Sequence, residues 1–266
     1  MIWLSMTKEE LIRCIESIAP KELMEDWDNT GIQLDVGHRE INRVLVCLDI
    51  CSETIEEAIQ EDCEFIVSHH PMIFSPLRRV SREDAAGRYL IKLIRNNISV
   101  YAAHTSFDSC PGGNNDYLAE MIGLADIQTP EQTPVMRTGI LLRPVTLRQF
   151  CELADRKITG GKGLRYTGDD EKMIRNVGIC TGAGADLLDG AYRLGCDVLV
   201  TGDVKYHDAQ RAMQLGIALV DAGHFGTEIY FNKNMAERLQ AAAGSGVRVI
   251  PAASQENWLK EISANG

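Results

Sequence analysis

Short runs rich in Val, Ile and Leu alternate with stretches of helical character, and this alternation restricts the chain to an α/β architecture. The runs are RVLVCLDI (43–50), EFIVSHH (64–70), ISVYAAH (98–104), TGILLRPV (138–145), NVGICTG (176–182), DVLVTGD (197–203), IALVDAGH (217–224) and VRVIPA (247–252). Helical patterns lie between most of them, over 52–62, 83–96, 115–123, 185–195, 206–215 and 227–242. Strands separated by helices form parallel βαβ units. Runs this apolar suit strands covered on both faces.

The chain also matches itself. An offset of 133 residues places Val44 on Val177, Val46 on Ile179, Cys47 on Cys180, Ala58 on Ala191 and Cys63 on Cys196. CEFIVSHH then lies on CDVLVTGD, so the strand end at Ser68–His70 matches that at Thr201–Asp203. After a gap, ISVYAAHTSFD lies on IALVDAGHFGTE, which aligns His104 with His224 and Asp108 with Glu228. Polar residues coinciding at strand ends point to a duplication, with two ordinary βαβ units as the alternative. The halves divide at residues 1–125 and 126–266, and are expected to intertwine as one structural unit. Ligands of open parallel sheets bind beyond the carboxyl ends of the strands, so two halves facing each other would bring four such ends together.

Composition narrows the function classes. A net charge of −11 argues against non-specific nucleic-acid binding. No apolar run reaches the roughly 18 residues that a membrane span requires. The opening MIWLSMTKEELIRC has neither a basic n-region nor a long apolar core, so no secretory leader is expected and Met6 is an alternative start. Thr7 reads as the N-cap of a helix with Leu11, Ile12, Ile15 and Ile18 on one face. None of the eight cysteines forms a C-x-x-C pair, and Cys47, Cys63, Cys180 and Cys196 lie in or beside apolar runs. They read as small buried hydrophobes in a reducing compartment, the cytoplasm.

Five blocks run in order along residues 27–228: WDNTGIQLDVG, SHHPMIF, AAHTSFDSCPGGNND, TGDVKYHDA and GHFGTE. Together they resemble the signature blocks of the Nif-three-like family, whose members are also described as GTP cyclohydrolase I type 2 homologues. The resemblance implies an α/β fold of two intertwined, duplicated subdomains with largely parallel sheets. It further implies a dinuclear metal centre between them and a homo-oligomer in the form of a toroidal hexamer. Carried over residue by residue, it implies metal ligation by His69, His70, Asp108, His224 and Glu228. HTSFD and DSCPGG depart from the commonest family wording without changing a ligand position.

The chemistry of that set is consistent on its own terms. Imidazole nitrogens with carboxylate oxygens bind Zn²⁺, Fe²⁺ or Mn²⁺, and disfavour Mg²⁺ and Ca²⁺, which prefer all-oxygen shells. Two divalent metal ions of that group are the expected cofactor. In an extended strand adjacent histidines point to opposite faces, but a turn towards Pro71 can aim each at a different ion. Glu228 or Asp108 is the natural bridge. His224 and Glu228 share a helical face if a helix begins at once.

His104 and His207 form a second tier, expected in the cleft as ligand, outer partner or proton shuttle; buried structural histidines are the competing reading. His38 reads as solvated. CPGGN is a tight turn whose N–H groups are available to an anion. TGGKGLRYTGDD (159–170) fails the P-loop pattern and reads as a flexible loop over the cleft.

Two functions follow. The first is a metal-dependent hydrolase acting on a nucleotide or phosphoester, with His104 or His207 shuttling the proton. The second is a non-enzymatic ring that stores or senses metal or serves as a protein scaffold. Neither membrane nor nucleic acid is an expected partner. A third reading, in which the histidines only brace a dry core, is opposed by the cost of burying carboxylates there.

Overall fold

The structure, a computed structural model, describes residues 5–260. A short ribbon pairs β1 (Met6–Thr7) with β3 (Glu40–Ile41), and two larger sheets carry the architecture. The first contains β2 (Gly31–Leu34), β4 (Arg43–Cys47), β5 (Phe65–Ser68), β6 (Ser99–Ala102) and β13 (Arg248–Pro251) in the order β13-β4-β5-β6-β2. The second contains β7 (Ala125–Gln128), β8 (Arg137–Thr146), β9 (Arg165–Thr167), β10 (Met173–Ile179), β11 (Val198–Thr201) and β12 (Ala218–Asp221) in the order β7-β8-β10-β11-β12-β9.

The duplication is present in the pairing register. In the first sheet Val44 faces Phe65 and Phe65 faces Ser99; in the second Val177 faces Val198 and Val198 faces Ala218. All four pairings are parallel. Each parallel trio is closed by an antiparallel edge strand, with Gly31 opposite Ala102 and Arg165 opposite Asp221. Arg165–Thr167 is therefore a strand, where the sequence suggests a loop over the cleft. The exposed edge of β12 supplies a row of backbone donors and acceptors, and pairing with them overrides the Gly-rich composition around this segment.

Helices cover both faces of each sheet. Thr7 caps α1 (Lys8–Ile18) in a reciprocal capping box with Glu10, and Leu11, Ile15 and Ile18 are buried. Alternation along β4 divides its side chains between two cores. Val44 and Val46 pack with α1 and α10 (Phe231–Ala243), while Leu45 and Cys47 pack with α2 (Ser52–Gln60) and α3 (Ala85–Arg95). In the second sheet Val198 and Val200 pack on the side of α5 (Asn114–Ile122) and α6 (Leu147–Ala154). Leu199 packs on the side of α7 (Leu188–Arg193) and α8 (Tyr206–Leu215).

The last helix and strand do not stay with the second half. Phe231, Met235 and Leu239 of α10 join the core of the first sheet, and β13 pairs with β4, Arg248 opposite Arg43. Two elements from the second half of the sequence, α10 and β13, thus belong to the first sheet, so the two halves of the sequence intertwine. All eight cysteines are free, and Cys47, Cys63, Cys180 and Cys196 are buried. Among the described residues, no helix is long and apolar enough to cross a membrane.

Candidate metal centre

The site forms where the strands end. β5 stops at Ser68, but the N–H groups of His69 and His70 still donate to the carbonyls of Cys47 and Leu48, at 2.9 and 3.0 Å. The extended path then breaks towards Pro71, and the two rings converge with centroids 5.0 Å apart. Beyond β6 the chain turns at His104 into the short helix α4 (Thr105–Ser109), which carries Asp108 inward. The second half does the same: beyond β12, Gly223 at φ 79° starts α9 (His224–Glu228). That helix begins at once, so His224 and Glu228 share a face, with His224 Nε2 2.9 Å from Glu228 Oε2.

Glu228 is the centre of the cluster. Its Oε2 lies 2.9 Å from His70 Nε2 as well, while its Oε1 turns the other way, 3.6 Å from His69 Nε2. His69 Nε2 is also 3.6 Å from Asp108 Oδ2. Three sets of donor atoms, each within 4.8 Å of one another, are grouped here: His70, His224 and Glu228; His69, Asp108 and Glu228; and His69, His70 and His104. His69, Asp108 and Glu228 form the buried floor, and the half-exposed His70 and His224 form the mouth.

An outer ring of acceptors orients the imidazoles. His70 Nδ1 faces Asp49 at 2.7 Å, His224 Nδ1 faces Asp203 at 2.7 Å and His104 Nδ1 faces Asp28 at 2.8 Å. His69 Nδ1 donates to the carbonyl of Ala103 at 3.0 Å. With Nδ1 engaged, Nε2 of each ring is left for the interior, an arrangement typical of metal-ligating histidine. None of these three aspartates stands out in the sequence as a site residue. The signals were present, since Asp203 is the residue that the repeat aligns with His70, Asp49 ends an apolar run and Asp28 lies in WDN.

The charges are interdependent. Burial disfavours the cationic form of His70, yet Glu228 and Asp49 override it and raise its pKa to about 10. Burial likewise opposes the charge on His224, and Glu228 and Asp203 raise its pKa to about 9. For Glu228 burial favours the neutral acid, but the surrounding histidines hold it well below the usual carboxylate range. Asp108 goes the other way, pushed up by burial and by the negative Glu228, against the opposing pull of His69.

The comparisons with known proteins decide the family. The profile of Duf34/NIF3 (NGG1p interacting factor 3) matches residues 6–257. This chain belongs to the Duf34/NIF3 family. A Clostridium acetobutylicum protein named GTP cyclohydrolase 1 type 2 homolog is 32% identical over 262 residues, covering 96% of this chain and 97% of its own. A Clostridium perfringens protein of the same name is 34% identical over 251 residues, covering 92% and 95%. Among solved structures, a Bacillus cereus protein related to NIF3 has a TM-score of 0.90 at 24% identity, covering 97% of this chain and 100% of its own. HcgD from Methanocaldococcus jannaschii has a TM-score of 0.79 at 28% identity, covering 94% and 98%.

In this NIF3-family chain the clustered donors have the chemistry to hold a metal ion. The donor set is imidazole and carboxylate, suited to first-row divalent cations. Asn114 Oδ1 is buried beside Asp108 and His69 without a hydrogen-bond partner, and an unpaired buried carbonyl oxygen calls for a cation or a donor. Gly182, at φ +66°, leaves space for Glu228: a Cβ there would lie 2.1 Å from its Oε1 and 3.3 Å from His224 Nε2.

Some sequence candidates lie elsewhere. His207 is exposed on the first turn of α8, 3.4 Å from Gln210 Oε1 and edge-on to Tyr206, and it joins none of the three donor sets. His38 is half-buried and bonded to the Asn97 carbonyl rather than simply solvated. In the CPGGN turn both glycine N–H groups are engaged within the protein, Gly112 with Asp116 and Gly113 with the Cys110 carbonyl.

Proposed function

We propose that this chain is a metal-dependent hydrolase of a nucleotide or phosphoester, working with two divalent ions of the Zn, Fe or Mn group. One observation carries the reading. The two oxygens of Glu228 serve different partners, Oε2 the pair His70 and His224, Oε1 the pair His69 and Asp108 through its position beside His69. A carboxylate divided in this way would suit two cations, one held with each group of partners. When bound, such a pair supplies Lewis acidity and a nucleophile at neutral pH.

The protein residues then have separate tasks. His69 and Asp108 would hold the buried ion, His70 and His224 the solvent-facing one, and Glu228 would serve both. Asp49, Asp203 and Ala103 keep the imidazoles aimed inward. His104 donates from Nδ1 to Asp28, which leaves Nε2 to take or return a proton at the leaving atom. Its ring lies 5.2 Å from that of His69 and 5.6 Å from that of His70, close enough for that role. Assembly as a closed ring of six is part of the proposal and is checked by light scattering.

The test joins metal analysis to turnover. Metal-loaded protein is expected to hydrolyse GTP or bis(p-nitrophenyl) phosphate, and Glu228→Gln to abolish this. Equal rates for the two proteins overturn the reading. Tight, stoichiometric metal with no turnover on either compound assigns metal storage or sensing instead.

A further inference from the structure

Two large aromatic rings stand in the open beside the metal cluster. Trp27 is 60% exposed and Phe74 57% exposed, although their neighbours Asp28 and Thr30 are buried. Their ring centroids are 5.9 Å apart, and His104 lies 5.9 Å from Trp27 and 6.4 Å from Phe74. The His104 ring is edge-on to both, at 76° and 78°, so the three rings make a corner whose base is His104.

The corner is held in place. Asn29 Nδ2 donates to the Ile73 carbonyl at 2.6 Å, and Ile73 N–H donates to Gln33 Oε1 at 3.2 Å. Gln33 Nε2 donates in turn to the Asn29 carbonyl at 2.6 Å. These bonds clamp the segment carrying Phe74 to the segment carrying Trp27. Asp28, next to Trp27, fixes His104 through Nδ1 and accepts from Thr30 and Thr105. Single exposed apolar side chains are ordinary on protein surfaces. Two adjacent aromatics immobilised by a polar clamp at the edge of a site make a stacking platform.

We infer that Trp27 and Phe74 form a ledge that stacks a planar heteroaromatic ring, a nucleobase, and so select a base-bearing substrate for the adjacent metal cluster. This rests on the hydrolase reading for the reaction, but the ledge itself is a matter of binding. A base against the corner places the rest of its nucleotide next to His104 and, one ring further in, His69 and His70. Base–aromatic stacking tolerates every base, because each presents a π face. The ledge therefore selects for a ring and leaves its identity open.

The experiment compares GMP with ribose 5-phosphate, which differ by the base, by calorimetry on metal-loaded protein. Wild type is expected to bind GMP about tenfold more tightly than ribose 5-phosphate, with quenching of tryptophan fluorescence by GMP alone. Trp27→Leu and Phe74→Leu each reduce that preference and leave metal content and ribose 5-phosphate binding unchanged; Trp27→Phe retains most of it. No preference in wild type, or variants that weaken both ligands equally, overturns the ledge. So does a variant that changes the native mass by light scattering with the GMP preference intact, since the rings then serve a subunit contact. Preference for GMP without any hydrolysis leaves the ledge standing and removes the hydrolase. Hydrolysis without the preference does the reverse.

Discussion

The Nε2 atoms of His70 and His224 face each other 3.2 Å apart, although 154 positions separate them in the chain. One oxygen of Glu228 lies 2.9 Å from each. Without a cation, the three atoms are reconciled by protons on the imidazoles, drawn there by the carboxylate. A cation held here would take all three as its donors, so protons and metal would compete for one small volume.

Metal uptake should therefore depend steeply on pH. In the metal-free protein the pKa of His70 is about 10 and that of His224 about 9. Both lie above the unfolded value near 6.5, so their charge stabilises the metal-free fold fully below about pH 6.5, and this contribution is lost as pH rises through 9 to 10. Binding a cation must expel these protons, so affinity rises about tenfold per pH unit for each proton displaced. The expected result is a metal-free Tm that falls between pH 7 and 10 while the Zn²⁺-induced increment in Tm grows. Chelator competition giving one affinity from pH 6 to 9 would contradict it.

Asp49 and Asp203 should affect metal binding without touching the metal. Each holds the Nδ1 of one mouth histidine at 2.7 Å. Asp49→Asn and Asp203→Asn are each expected to lower metal affinity by about 10–100-fold. Histidine NMR titrations should show the pKa of His70 falling only in the first variant and that of His224 only in the second.

Gly182 and Gly195 offer a matched comparison. Both have positive φ, +66° and +77°, but a Cβ at Gly182 meets Glu228 Oε1 at 2.1 Å, whereas one at Gly195 meets nothing within 4 Å. Ala at either position carries backbone strain of about 1–3 kcal/mol. Only Gly182→Ala is expected to lose metal as well, because it displaces the Glu228 carboxylate. Elemental analysis of the two purified variants checks this.

Arg137 is a structural charge. It is 1% exposed, and its Nε donates to Asp116 Oδ1 at 2.7 Å while its other nitrogens reach the carbonyls of Ser109, Cys110, Pro134 and Met136. It ties the turn between α4 and α5, just beyond Asp108, to the start of β8. Arg137→Met removes the guanidinium from Asp116 and from those carbonyls, leaving the Asp116 charge without its cation, so urea denaturation should show a loss of about 3–5 kcal/mol.

The alternation of Val-rich runs with helical segments determined the α/β class, and local periodicity placed eight strands to within a few residues. The offset of 133 also revealed the duplicated register, because a βαβ unit stores its pairing pattern in its own sequence. His69, His70, Asp108, His224 and Glu228 were legible as a set through blocks with recognisable wording. Three things were decided only in three dimensions. Gly31–Leu34 and Arg165–Thr167 became edge strands because an unsatisfied strand edge was waiting for them. The α10 and β13 segments crossed to the first sheet because its core and the free edge of β4 were available there. Asp28, Asp49 and Asp203 became the outer partners of the histidines because side chains 76, 21 and 21 positions away arrived within hydrogen-bond reach. Periodicity and capping are written along the chain; who stands next to an imidazole nitrogen is a property of the packed fold.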